Sequence, residues 1–185
     1  MDMIYLAGGC FWGMEHLFHQ LPGVLEVTPG YANGDDEAHA NYNDVCTGIT
    51  GFRETVRVAY DPETVPLSHL LFAFFAVIDP ELPNRQGMDI GTQYQTGVYW
   101  ATPGQEAVIR RIFTLEAAAL ESFEVECGPI RCFYPAEEFH QRYLEKHPGG
   151  YCHISPWKIS ALVKCPVQSY DRPAKELLGP YLEQL

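Results

Sequence analysis

The stretch from Pro66 to Ile78 constrains the fold most. Leu67, Leu70, Leu71, Phe72, Phe74, Phe75 and Val77 leave it without a polar face. A helix that is apolar nearly all round must be covered on several sides, so other elements have to pack around it. The chain has 185 residues, and at about 150 residues per domain that is one domain, or one domain with a tail. A chain this long buries roughly 70% of its unfolded surface and needs no metal or disulfide frame to fold.

The elements around that helix follow from periodicity and breakers. Met3–Ala7 reads as a short apolar strand running into Gly8-Gly9. Cys10 to Leu21 has helical spacing of Phe11, Met14, Leu17 and Phe18, stopped by Pro22-Gly23. Val24–Thr28 and Glu54–Tyr60 read as strands, the second with Glu54, Val56, Val58 and Tyr60 on one face. Residues 29 to 51 and 79 to 95 are long polar, turn-rich stretches, and connections of that length point to function. Thr96–Trp100 predicts a further strand. Thr102-Pro103-Gly104-Gln105 has a capping-box outline opening a helix that carries Val108, Ile112, Leu115 and Ala119. Phe123–Cys127 predicts a last strand and Pro135–Lys146 another helix. The last thirty-five residues are near neutral, with four Lys+Arg and three Asp+Glu, and Pro156, Pro166, Pro173 and Pro180 break them into short pieces. They read as an extension wrapped over the core. Strands and helices without strict alternation favour an α+β layered sandwich over a doubly wound sheet.

Charge and cysteine usage narrow the partners. Twelve Lys+Arg against twenty-four Asp+Glu give a net charge of −12, and so acidic a surface repels phosphate backbones. No nucleic acid is expected. No window holds eighteen consecutive apolar residues, so no membrane span is expected. Asp2 stands where a signal peptide would carry positive charge. Six scattered cysteines are too sparse for a disulfide-rich secreted module, and the expected address is cytoplasmic.

Cys10 carries the most chemistry. It follows a strand and two glycines and opens a helix, whose free N–H groups and dipole lower a thiol pKa. It reads as a nucleophile or as a buried cysteine at a packing corner. Phe11 and Trp12 beside it either line a small apolar pocket or belong to the core. Glu54 lies on the face expected to turn inward. Desolvation there would keep its carboxyl protonated and make it a proton donor; the alternative is a strand-end carboxylate in solvent or paired with Arg53. Tyr42 and Tyr94 sit in the two long loops and could hydrogen-bond a substrate oxygen, and Asp89 precedes Tyr94 in Gln86-Gly87-Met88-Asp89-Ile90-Gly91-Thr92-Gln93-Tyr94. Cys152 follows the flexible Pro148-Gly149-Gly150-Tyr151. Cys127 with Cys132, and Cys152-His153 with Cys165, have loose spacing for zinc, and no metal is expected. None of the seven histidines has a spacing that marks the base of a Cys–His pair. That weighs against a thiol hydrolase or acyltransferase.

Gly8-Gly9-Cys10-Phe11-Trp12-Gly13-Met14-Glu15 closely resembles the signature of type A peptide methionine sulfoxide reductases. The resemblance continues through Leu21-Pro22-Gly23-Val24, Gly30-Tyr31-Ala32, Tyr42-Asn43-Asp44-Val45-Cys46-Thr47-Gly48, Thr50-Gly51 with Glu54, and Asp61-Pro62. It then takes in Gln86 to Tyr94 and Phe133-Tyr134-Pro135-Ala136-Glu137-Glu138 with His140-Gln141. It spans roughly residues 4 to 152. It implies an α+β two-layer sandwich with a ferredoxin-like core and a mixed sheet, a catalytic domain at 1–152 and a packed extension at 153–185. It also implies reduction of methionine-S-sulfoxide, free or in proteins, as repair after oxidation, by a monomer without a cofactor. Cys10 would attack sulfur, Phe11 and Trp12 hold the methyl group, and Glu54 with Tyr42 and Tyr94 serve the sulfoxide oxygen. Asp89 would contact the substrate backbone or order the loop. Cys152 would resolve the sulfenic acid as a disulfide for thioredoxin to reduce. Phe52, Arg53, Ile78 and Gln95 depart from the residues usual in that pattern (His, Ala, His and Arg), and Cys165 stands thirteen residues past Cys152.

Overall fold

The computed structural model describes residues 1–167 and 169–183; positions 168, 184 and 185 of the expected extension lie outside the described residues. The strands are β1 (Asp2–Ala7), β2 (Val24–Ala32), β3 (Arg53–Tyr60), β4 (Arg85–Gln86), β5 (Asp89–Ile90), β6 (Gly97–Trp100), β7 (Glu126–Pro129) and β8 (Phe133–Pro135). The helices are α1 (Phe11–His19), α2 (Tyr42–Val45), α3 (Leu67–Val77), α4 (Glu106–Ala117), α5 (Tyr143–Lys146), α6 (Pro156–Lys164) and α7 (Ala174–Leu182). Six strands form one mixed sheet in the order β7-β6-β1-β3-β2-β8, and β4 pairs with β5 as a hairpin. Among the described residues only the β6–β7 pairing is parallel; the others are antiparallel.

Register decides which face is apolar. Ile4 pairs with Val58 and Trp100, and Leu6 with Val56 and Val98, so these side chains share one face with Val27, Tyr31 and Glu54. That face and α3 form the core, with Leu70, Leu71, Phe72, Phe74 and Phe75 essentially unexposed. The opposite face is polar: Arg53 is bridged to Glu126 at 2.8 Å, Tyr99 donates to Glu126 at 2.6 Å, and Arg57 lies over the Phe133 ring. This is the α+β architecture expected from the sequence. Gln105 closes the start of α4, accepting from the Thr102 N–H at 3.2 Å and donating to the Met3 carbonyl at 2.8 Å.

Three local expectations are corrected. β2 runs past Thr28 to Ala32, through Pro29. The Pro29 carbonyl accepts from Ala136 N–H, so the proline nitrogen faces that side too. There β8 covers only Gly30–Ala32, and a missing N–H leaves nothing unpaired. Pro135–Lys146 is not one helix but the end of β8, a 3-10 turn (Glu138–His140) and α5. Arg142, with φ 54°, breaks it; its N–H donates to the buried Glu15 carboxyl at 2.8 Å. The prolines of the last segment punctuate two full helices: Pro156 opens α6 behind the Ser155 cap, and Pro180 lies inside α7. Ile159, Leu162, Tyr170, Ala174 and Leu178 join the main core.

Candidate active site

β1 ends at Ala7, and Gly9, with φ 87°, reverses the chain into α1. That left-handed φ needs glycine. Cys10 is the N-cap of α1, and the N–H groups of Trp12 and Gly13 favour its thiolate. The net effect is nevertheless opposite to the expected lowering. Burial first, and then the charge of Glu54, push the Cys10 thiol well above its usual range, since only 7% of the residue is exposed. The sulfur is therefore held as a thiol, and helix-end polarity is outweighed by desolvation.

Glu54 is buried, as its strand face predicts, with 2% exposed. Its Oε2 accepts from the Phe11 N–H at 3.1 Å, which ties β3 to the first turn of α1. Burial, opposed by that hydrogen bond and reinforced by Asp89, pushes its pKa up to about 8. At neutral pH the carboxyl is mostly protonated, so the charge it would place on Cys10 is mostly absent.

Aromatic residues surround the pair. Phe11 packs on Tyr31 and His140. The half-buried Trp12 stacks on Tyr143, with ring centroids 3.7 Å apart, and its indole N–H donates to His140 Nδ1 at 3.0 Å. The Tyr42 ring lies 5.0 Å from that of His140. A hydrogen bond with the Cys46 thiol and then burial raise its phenol to about 12. Burial, then Glu54, Cys10 and Asp89, raise Tyr94, so both hydroxyls stay protonated beside Glu54. Asp89 accepts from Tyr151 O–H at 3.1 Å. The Thr92 hydroxyl donates to the Gly48 carbonyl at 3.1 Å, bracing one long loop on the other.

Cys152 lies on the other side of the same helical turn. A Cβ on Gly13 would come within 3.2 Å of its sulfur, which donates to the Ile154 carbonyl at 3.3 Å. It also lines a groove of about 600 Å³ with residues of α1, α5 and α6. Cys10, Phe11, Trp12, Tyr42, Glu54, Asp89, Tyr94 and Cys152 thus gather around the start of α1. Sequence reasoning assigned no role to His140, Tyr143 or His153. His140 is 1% exposed, and its place at the centre of the aromatic cluster depends on contacts 128 residues apart, which spacing does not reveal.

The four departures have different surroundings. Phe52 is buried, edge-on to Tyr31 and Tyr134, and Arg53 points to the polar face of the sheet. Ile78 joins the core. Gln95 accepts from Asn84 N–H at 2.7 Å and donates to the Glu124 carbonyl at 2.6 Å. Among the described residues no group of three or more His, Cys, Asp or Glu is arranged to hold a metal. None of the described helices is long and apolar enough to cross a membrane.

The family model for peptide methionine sulfoxide reductase matches residues 2–167. The peptide methionine sulfoxide reductase MsrA of Clostridium botulinum strain Hall is 43% identical over 155 residues, which are 83% of this chain and 98% of that protein. Among solved structures, reduced Mxr1 from Saccharomyces cerevisiae superposes with a TM-score of 0.75 at 35% identity, over 83% of this chain and 91% of that one. The same yeast protein in complex with Trx2 matches with a TM-score of 0.51 at 26% identity, over 77% and 84% of the two chains. The match runs from β1 through the Cys10 turn, both braced loops and Cys152 into α6, and on that ground the chain belongs to the peptide methionine sulfoxide reductase family.

Proposed function

We propose that the chain reduces methionine-S-sulfoxide, free or in oxidised proteins, with Cys10 as nucleophile and Glu54 as proton donor. The observation that carries this reading is the pairing of a helix-start thiol with a buried, mostly protonated carboxyl held by the Phe11 N–H at 3.1 Å. A sulfoxide is a weak electrophile with a basic oxygen, so attack at sulfur needs a proton delivered to oxygen in the same step. Glu54 gives its proton to that oxygen, and the Cys10 thiol proton replaces it on Glu54. The S–O bond passes from methionine to Cys10, leaving methionine and a sulfenic acid. The hydroxyls of Tyr42 and Tyr94 hold the oxygen, Phe11 and Trp12 enclose the methyl group, and Asp89 orders the 151 segment through Tyr151 or meets the substrate backbone.

Cys152 then resolves the sulfenic acid as a disulfide with Cys10. Thioredoxin, or a small dithiol, reduces it; the yeast relative solved with Trx2 supports that partner. The reaction uses thiols alone, without a metal or cofactor. We place the protein in the cytoplasm as a monomer with no nucleic-acid or membrane partner, residues 1–152 forming the catalytic unit and 153–185 an extension on it. Assay of both sulfoxide epimers with thioredoxin tests the reading. The S epimer alone should turn over, and C10S should abolish it; turnover by C10S would overturn the assignment.

A further inference from the structure

His153 is a part-buried titratable side chain that the chemistry above leaves unused. It sits beneath the Gly8-Gly9-Cys10 turn, with Nε2 2.9 Å from the Gly8 carbonyl oxygen. A carbonyl only accepts, so Nε2 carries the proton and Nδ1 keeps a lone pair. Nδ1 is sealed from solvent and has no hydrogen-bond partner among the described residues. Groups buried in that condition call for a reason, and proton transfer is one. A Cβ on Gly13 would lie 2.9 Å from Nδ1 and 3.2 Å from Cys152 Sγ, so the unpartnered ring nitrogen and the resolving sulfur both lie close to one point on the first turn of α1.

We infer that His153 is the proton acceptor for the resolving thiol, an inference that rests on the reading of Cys152 given above. The Cys152 sulfur leaves the Ile154 carbonyl and attacks the sulfenic sulfur of Cys10 while Nδ1 takes its proton. The S–S bond forms and the S–O bond of Cys10 breaks. The imidazolium returns the proton to the departing hydroxide, and one water leaves. The Cys10 sulfur is reduced as the Cys152 sulfur is oxidised, with no outside reagent. The groups that act on the imidazole are the Gly8 carbonyl on Nε2 and the charge of Asp89 from β5, with Cys152 of its own segment near Nδ1. Burial, the largest effect, disfavours the imidazolium, opposed by the hydrogen bond to the Gly8 carbonyl and then by Asp89; the net shift is downward, so the ring is neutral and able to accept at pH 7.

The test is a single turnover without reductant, using excess S-configured methyl sulfoxide on wild type, H153Q and C152S. Sulfide is counted, sulfenic acid is trapped with dimedone, and the loss of two thiols reports the disulfide. Glutamine keeps an N–H for the Gly8 carbonyl but offers no base. H153Q should release one equivalent of sulfide at the wild-type rate, yet form the disulfide on the order of a hundredfold more slowly, with sulfenic acid accumulating. A wild-type disulfide rate in H153Q, with C152S blocked, overturns the role of His153 alone; slowing of sulfide release to the same extent overturns it too, as turn support only. Disulfide formation by C152S at the wild-type rate overturns the reading of Cys152 and this inference with it. If H153Q does not fold, the wild-type profile decides. A disulfide rate that reaches its plateau below neutrality supports the base, and one that climbs only in the alkaline range overturns it.

Discussion

At the level of single residues, the site sets a cost in stability against a proton. Glu54 has an ordinary pKa of 4.5 and a folded value of about 8, so the folded state holds its proton more tightly than the unfolded chain. The sign follows: stability is highest below pH 4.5 as far as this group is concerned and declines as pH rises through 4.5 to 8. At about 1.4 kcal/mol per pH unit the full decline is on the order of 5 kcal/mol. E54Q removes the ionisation, so it should unfold at higher urea than wild type at pH 8.5, and the gap should narrow towards pH 5. Equal midpoints at both pH values would mean that the carboxyl is not desolvated. Burial of Glu54 was legible in the alternation of β3. The direction of the Cys10 shift was not, because a sequence displays the helix start but not how tightly the protein closes over the sulfur.

At the level of elements, one helical turn does most of the positioning. Cys10, Phe11, Trp12 and Gly13 stand at the start of α1 next to Glu54, the core, the His140–Tyr143 cluster and the Cys152 segment, respectively. The periodicity of residues 10 to 21 made that helix readable. The break of the 135–146 stretch was hidden, because it depends on Glu15 holding the Arg142 N–H from a distant part of the chain. Gly13 is fixed by close approach. A methyl group there would stand 2.9 Å from His153 Nδ1 and 3.2 Å from Cys152 Sγ, inside normal contact, so G13A should push the 152–153 segment away. We expect single-turnover sulfide release to persist and disulfide closure to slow by about tenfold or more, since misplacement of a reacting group by an ångström has such effects. Unchanged closure, followed by thiol titration, would show that the segment yields freely.

At the level of the whole molecule, the apolar helix α3 explains why the chain continues past Cys152. Its Phe75 meets Phe74, Phe113 and Phe123, and Phe72 meets Tyr170 edge-on. The last segment is latched there: Tyr170 O–H donates to the buried Glu116 carboxylate, which also accepts from Ala174 N–H at 2.7 Å, and Arg111 donates to the Tyr170 carbonyl at 3.0 Å. Y170F leaves Glu116 with one donor fewer in a buried place and should cost about 1–3 kcal/mol in urea unfolding, with the single-turnover rate unchanged. No loss of stability would mean that the latch is not closed in solution. The need to cover residues 66–78, and an extension laid over the core, were plain from the sequence; that the extension is built of two helices, with α7 against α3, was not, since the prolines read as breaks.

In the proposed reaction a protonated Glu54 serves the oxygen while Cys10 attacks sulfur. The pH dependence of the single-turnover rate with the S-epimer sulfoxide, in wild type and E54Q, tests it most directly. The wild-type rate should fall as pH rises through about 8, and the E54Q rate should be on the order of a hundredfold lower without that fall. Equal rates in the two proteins, or the same fall in both, would contradict it.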